Sequence, residues 1–164
     1  MITLVLGGAR SGKSAFAESL FLQGGLYIAT AEILDQEMQA RIDLHRNRRG
    51  ACWTTLEAPF DLADALRSQD KPALVDCLTL WTSNLLLAGR DAAFEVEDVA
   101  VALQARSQDT ALVSNEVGLG IVPDNALARR FRDQAGLVNQ RIAAIADRVV
   151  FVAAGLPMVL KGNL

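Results

Sequence analysis

The clearest chemical pattern in the chain is the run GGARSGKS at residues 7–14, which directly follows the apolar residues 2–6. It matches GxxxxGK[ST], a loop whose backbone N–H groups surround nucleotide phosphates. In such a loop Lys13 adds a positive charge near the outer phosphates, and the hydroxyl of Ser14 would ligate Mg²⁺. A glycine-rich turn closing an ordinary βα unit is the alternative, but it gives no reason for Lys13 and Ser14 together. The residues predicted to bind phosphate are Gly7, Gly8, Ala9, Arg10, Ser11, Gly12, Lys13 and Ser14.

A carboxylate candidate follows another apolar run. Asp76 comes directly after residues 73–75, in the position where phosphate-loop proteins place a carboxylate against the metal or its hydration shell. An aspartate just before a helix is also a common N-cap, here for a helix starting at Leu78. The two roles are compatible, so Asp76 is predicted to steady Mg²⁺ whether or not it also caps a helix.

The chain has one histidine, His45, on a predicted helical stripe with Met38 and Ile42. This spacing alone favours a packed or solvated side chain. A neutral imidazole is nevertheless a competent nucleophile toward phosphorus. The neighbouring Arg46, Arg48 and Arg49 could hold a triphosphate, or they could form a solvated helix end where cations favour the dipole. The residues alone leave both alternatives open.

The segment NEVGLGIVP at residues 115–123 is too rich in glycine for a helix and too apolar for an ordinary surface loop. It follows an apolar strand pattern, so we expect it at the ligand-binding edge of a sheet. A substrate-facing loop is the preferred interpretation. The alternative is a tight connection whose glycines only permit the turn.

These residues must be held by alternating strands and helices, a pattern typical of an α/β fold with a mainly parallel sheet. Strands are predicted at residues 2–6, 26–29, 52–57, 73–75, 111–114 and 149–153, and the tail at 158–160 could add an antiparallel edge strand. Helices are predicted at residues 13–22, 35–49, 59–67, 78–88, 95–106 and 127–146. Pro59 is expected in a first helical turn and Gly89 at a helix end.

The composition limits the classes of function. A chain of 164 residues fits one domain, residues 1–164. The net charge of −3 argues against binding to nucleic acid, which requires clustered cations. The first apolar stretch is too short to span a membrane. Cys52 and Cys77 have no metal-ligand spacing, which favours free thiols in a reducing cytoplasm.

Several segments together resemble one family, the bifunctional adenosylcobinamide kinase/adenosylcobinamide-phosphate guanylyltransferases of cobalamin biosynthesis. The segments that carry the resemblance are GGARSGKS at 7–14, YIAT at 27–30, DQEMQARIDLH at 35–45, WTTLE at 53–57, VDCLTLW at 75–81, NEVGLGIVP at 115–123 and FRDQAGLVNQ at 131–140. The RIxxH segment and the NEVGxGIVP loop are much more specific than the phosphate loop. Residues 89–109 carry no motif of the family.

The resemblance implies that His45 attacks the α-phosphorus of GTP, releases pyrophosphate and carries GMP to adenosylcobinamide phosphate. It also implies an Mg²⁺-dependent transfer of the γ-phosphoryl group of ATP or GTP to adenosylcobinamide, in which Lys13 acts as part of the phosphate loop. The further nucleotide contacts expected on this basis are Ala31, Glu32, Ile33, Arg46, Asn47, Arg48, Arg49, Glu57 and Asp76. The family's fold is a single RecA-like α/β domain that assembles as a trimer.

Two other functions fit part of the pattern. A small-molecule kinase without guanylyl transfer would keep the phosphate loop and Asp76 and leave His45 idle. A non-catalytic regulator would bind a nucleotide without turnover. A signalling GTPase is disfavoured because the sequence has no NKxD motif for reading the base.

Overall fold

Seven strands form one sheet in the computed structural model, which describes residues 1–32 and 52–164. The strands are β1 (Ile2–Gly7), β2 (Gly25–Ala29), β3 (Trp53–Glu57), β4 (Ala73–Asp76), β5 (Thr110–Asn115), β6 (Arg148–Ala153) and β7 (Leu156–Lys161). Their order is β3-β2-β4-β5-β1-β6-β7. All neighbouring pairs are parallel except β6 with β7, which are antiparallel. Every predicted strand is confirmed, including the antiparallel edge strand near the C-terminal end of the chain.

The helices of the described residues are α1 (Lys13–Ser19), α2 (Leu62–Ser68), α3 (Leu78–Leu87), α4 (Ala92–Ala105) and α5 (Ala126–Ile145). Apolar side chains pack on both faces of the sheet. One cluster includes Leu66, Trp81, Leu103 and Ile142 of α2 to α5. The other includes Ala17 of α1 with Val5, Val113 and Val150 of the sheet. The expected α/β fold with helices on both faces, consistent with a RecA-like domain, is confirmed.

Three predicted helix ends were wrong, and hydrogen bonds in the structure give the reason for two of them. Pro59 lies outside α2, because the Pro59 carbonyl accepts a bond from Asn84 Nδ2 at 3.0 Å and the Phe60 carbonyl accepts one from Trp81 Nε1 at 2.8 Å. Helix α4 begins three residues earlier than predicted because the Asp91 carboxylate accepts the Ala93 N–H at 3.0 Å. Helix α1 ends at Ser19 instead of residue 22.

The remaining helix predictions agree with the structure or fall outside it. Helices α3 and α5 match within a residue at each end. Gly89 follows α3 with a φ of 74°, which confirms its predicted role as a helix stop. The helix predicted at residues 35–49 lies outside the described residues. Among the helices that are described, none combines the length and apolar character needed to cross a membrane.

Asn84 connects α3 to the segments that follow β2 and β3. Its side-chain nitrogen donates to the Thr30 carbonyl at 2.8 Å and to the Pro59 carbonyl at 3.0 Å, and the residue is 6% exposed. Both acceptors belong to segments that leave the carboxyl edge of the sheet. The Asn84 amide therefore fixes the segments that follow β2 and β3 relative to α3.

Replacing Asn84 with Ala should lower the free energy of unfolding by about 2 to 3 kcal/mol, because two carbonyls lose a buried donor. Urea denaturation followed by circular dichroism measures the change. Leu87→Ala on the same helix is the control, since Leu87 is 65% exposed and should have little effect. Equal stabilities for Asn84→Ala and the unaltered protein would contradict the assignment.

Candidate active site

The register of the parallel strands places the predicted site residues at one edge of the sheet. Gly7 at the end of β1 is level with Asn115 at the end of β5. Ala29 at the end of β2 is level with both Asp76 of β4 and Glu57 of β3. The phosphate loop, Asp76 and Glu57 therefore all lie at the carboxyl ends of the strands, where α/β sheets bind ligands.

The loop between β1 and α1 is closed by two hydrogen bonds to the Gly8 carbonyl, one of them from Lys13. The Ser11 N–H donates to the Gly8 carbonyl at 3.3 Å, and Lys13 Nζ donates to the same carbonyl at 3.2 Å. Gly12 has a φ of 94°, a conformation that L side chains rarely adopt. Among the described residues, no group hydrogen-bonds the buried Ser11 hydroxyl. The predicted strand-loop-helix arrangement of residues 7–14 is confirmed, and Ser14 lies in the first turn of α1.

Asp76 is held by a tyrosine from the neighbouring strand. Tyr27 Oη donates to Asp76 Oδ2 at 2.7 Å, and the Tyr27 ring meets Trp53 edge-on with centroids 6.1 Å apart. The N-cap position of α3 is Cys77, and it has no side-chain capping bond. The N-cap alternative for Asp76 is therefore wrong. One carboxylate oxygen is oriented by Tyr27, and sequence analysis had no signal for this partner.

The thiol of Cys77, directly after Asp76 in the chain, is buried. Burial, with a further contribution from the negative charge of Asp76, raises the pKa of Cys77 to about 11, while the positive charge of Lys13 opposes the shift. Lys13 and Asp76 are thus close enough to influence the same buried group. The Cys77 thiol therefore stays neutral at physiological pH and adds no charge beside Lys13 and Asp76.

Two hydroxyl groups fix the backbone beside Asp76. Thr30 Oγ1 accepts the Cys77 N–H at 2.8 Å and donates to the Cys77 carbonyl at 2.7 Å. Thr79 Oγ1 accepts the Asn115 N–H at 2.6 Å. The peptide bond between Asp76 and Cys77 is cis. These bonds tie the ends of β2, β4 and β5 to one another.

The loop at residues 115–123 is anchored at its base and apolar at its tip. The Glu116 N–H donates to the Gly7 carbonyl at 3.2 Å, which joins this loop to the start of the phosphate loop. Leu119, Ile121 and Val122 are 82%, 97% and 62% exposed. The Gly118 N–H also donates to the Glu116 carboxylate, so the loop contains a local turn as well as an exposed apolar tip. The substrate-facing loop stays a prediction.

Part of the predicted site lies at the carboxyl ends of β2 and β3, and part lies outside the described residues. Ala31 and Glu32 follow Thr30 at the carboxyl edge of β2, and Glu57 ends β3. His45, Ile33, Arg46, Asn47, Arg48 and Arg49 lie outside the described residues. A cluster of three or more His, Cys, Asp or Glu side chains that could hold a metal is absent from the part of the chain that the structure describes. This is compatible with Mg²⁺, which proteins bind through one or two carboxylates together with substrate phosphates.

The two thiols should differ in reactivity, since Cys52 is exposed and Cys77 is buried with a pKa of about 11. In the folded protein a thiol reagent at pH 8 should modify one cysteine rapidly, and the second only after urea unfolding. The folded-state pKa of Cys77 exceeds its ordinary value of 9.0. The neutral Cys77 thiol therefore favours folding below pH 9.0, and this contribution is lost as the pH rises towards 11. Cys52→Ser should abolish the rapid phase, and rapid modification of two thiols would refute the assignment.

Comparison with known proteins shows the family of the chain. The family model described as cobinamide kinase / cobinamide phosphate guanyltransferase matches residues 3–160. The bifunctional adenosylcobalamin biosynthesis protein CobP of Pseudomonas aeruginosa is 51% identical over 99% of both chains. The protein of Salmonella typhimurium named bifunctional adenosylcobalamin biosynthesis protein CobU is 42% identical over 98% of this chain and 100% of its own. The chain belongs to the cobinamide kinase / cobinamide phosphate guanyltransferase family.

Proposed function

We propose that this chain phosphorylates adenosylcobinamide with a nucleoside triphosphate and then transfers GMP from GTP to the product, giving adenosylcobinamide-GDP. Family membership supports both activities. The observation that carries the assignment to this site is that the GKS loop, Asp76 and Glu57 all lie along the carboxyl edge of the sheet.

In the kinase reaction the hydroxyl oxygen of adenosylcobinamide attacks the γ-phosphorus, the bond to the β-phosphate oxygen breaks, and the hydroxyl proton is released to water. Residues 7–14 hold the phosphates through backbone N–H groups, and Lys13 stabilises the charge that develops on them. Ser14 and Asp76 would hold Mg²⁺, which neutralises charge on the phosphate oxygens. The Tyr27 bond supports this role because it orients the Asp76 carboxylate before any ligand arrives.

In the guanylyl transfer His45 attacks the α-phosphorus of GTP, and the bond to pyrophosphate breaks. The resulting phosphoramidate carries GMP until a phosphate oxygen of adenosylcobinamide phosphate attacks and the P–N bond breaks. Two displacements replace one difficult step. Support comes from the RIDLH motif and from the family. Further contacts to the nucleotide are assigned to Ala31, Glu32, Ile33, Arg46, Asn47, Arg48, Arg49 and Glu57.

The corrinoid substrate is assigned to the exposed tip of the loop at residues 115–123. A corrin ring is large and presents apolar faces, and Leu119, Ile121 and Val122 offer a matching surface. The bond from the Glu116 N–H to the Gly7 carbonyl keeps the base of this loop beside the phosphate loop. The acceptor hydroxyl could thereby approach the γ-phosphate while the ring rests on the loop.

We further propose that residues 1–164 act as one domain and assemble as a homotrimer in the cytoplasm. The exposed apolar side chains Leu156, Met158 and Leu160 of edge strand β7 support association, because unpaired apolar edges are typical of interfaces. The number of subunits rests on the resemblance to the family. Cys52 and Cys77 are not joined by a disulfide, which is compatible with a reducing compartment.

Replacing Lys13 with Ala should reduce the rate of phosphoryl transfer to adenosylcobinamide by about 100-fold, because charge stabilisation in the transition state is lost. Steady-state assays with ATP and with GTP measure the change. Lys71→Ala is the control, since Lys71 is an exposed lysine in the connection before β4. A rate equal to that of the unaltered enzyme would exclude Lys13 from the phosphate site.

Incubation with GTP labelled at the α-phosphate should give a covalent label that is labile in acid and stable in base. His45→Ala should remove the label. Lack of label on the unaltered protein, with kinase activity intact, would favour the small-molecule kinase. Nucleotide binding without turnover of either substrate would favour the regulator.

A further inference from the structure

We infer that the turn of the β6–β7 hairpin positions the phosphate loop, and that the backbone N–H of Gly155 sets the direction of a phosphate-binding N–H at Gly12. The inference rests on the proposed nucleotide site and adds positioning residues to it. None of the motifs in the sequence points to this turn.

A direct hydrogen bond joins the turn to the loop. The Gly155 N–H donates to the Ser11 carbonyl at 2.8 Å. The Ser11 carbonyl and the Gly12 N–H belong to the same peptide unit, which is planar, and in a trans peptide they point in opposite directions. The bond that turns the Ser11 carbonyl towards the hairpin therefore turns the Gly12 N–H away from it, and a bound phosphate would accept from this N–H on that side.

The loop also packs closely against the hairpin. A Cβ atom at Gly12 would lie 3.1 Å from the Gly155 Cα, and a Cβ atom at Gly7 would lie 2.6 Å from the Val152 carbonyl oxygen. A side chain at Gly7 would displace the backbone of β6, and one at Gly12 would force the turn to give by a few tenths of an ångström. These glycines are therefore required for contact with the hairpin as well as for an approach to phosphate.

The hairpin is a firm support. Ala153 pairs with Leu156, and the two residues between them, Ala154 and Gly155, have φ values of 51° and 78°. Two positive φ angles in a two-residue connection are typical of a type I′ turn, which fits the twist of paired strands. Strand β6 is anchored in the sheet by its parallel pairing with β1. The turn therefore fixes the phosphate loop relative to the core of the sheet.

Gly155 has a matched control in Gly89. Both have φ values in the left-handed region, 78° and 74°, and a Cβ atom would meet nothing within 4 Å at either position. A valine should strain the backbone equally at the two sites. Gly89 follows the C-terminal end of α3, a helix of 10 residues that starts at the site edge, so it lies about 15 Å from that edge along the helix.

Gly155→Val should raise the dissociation constant of ATP with Mg²⁺ by about tenfold, because the Gly12 N–H loses its orientation. It should also speed hydrogen exchange of the amides at residues 8–13 in the protein without nucleotide. Gly89→Val should lower the melting temperature by about as much as Gly155→Val does. It should change neither the dissociation constant of the nucleotide nor the exchange rate of the loop amides. Gly155→Asn should restore most of the affinity, because asparagine tolerates positive φ.

The inference is overturned if the two valine variants change nucleotide affinity and loop exchange equally, or if Gly155→Val leaves both at the level of the unaltered protein. If Gly155→Val does not fold, the comparison of Gly155→Asn with Gly155→Ala gives the same decision, since alanine tolerates positive φ less well. Failure of the unaltered protein to bind ATP or GTP would refute the proposed function instead. The exchange measurement needs no nucleotide and would still decide the inference.

Discussion

Parallel pairing of β1 with both β5 and β6 is the constraint on which the rest of the structure depends. It places Gly7 level with Asn115 on one side and Val152 on the other. The loop that follows Gly7 is therefore bounded by two neighbouring strand ends. A shift of one residue in this register would exchange the faces of Leu4 and Val5, which pack in different core clusters. The packing of both clusters and the placement of the phosphate loop therefore depend on the same pairing.

The polar groups at the site edge are oriented mainly by hydrogen bonds to neutral partners. Tyr27 orients Asp76, Thr30 holds the backbone of Cys77, and Asn84 holds the carbonyl of Thr30. Because the buried thiol of Cys77 is neutral, it does not offset the charge of Lys13. Groups that are fixed in advance need little rearrangement when charge develops on a phosphate, and this is the main source of electrostatic catalysis.

Sequence patterns predicted the parts of the fold that depend on local chemistry. Apolar runs located the strands, and the GKS loop and Asp76 were found because each directly follows such a run. The start of α2 was missed because the bonds that hold Pro59 and Phe60 come from α3, more than 20 residues away. Tyr27 is likewise 49 residues from Asp76, so this contact follows from strand order, which local patterns do not contain.

The hairpin contact has a consequence for synthesis of the chain. Strand β1 emerges first, yet its partners begin at Thr110 and Arg148, and the turn that braces its loop follows at Gly155. Contacts between residues far apart in sequence slow folding, because the intervening chain must be closed into a loop first. The nascent β1 therefore lacks both of its sheet partners until residues 110 to 153 have been made, and the nucleotide site cannot mature before β6 and the turn at Gly155 have left the ribosome.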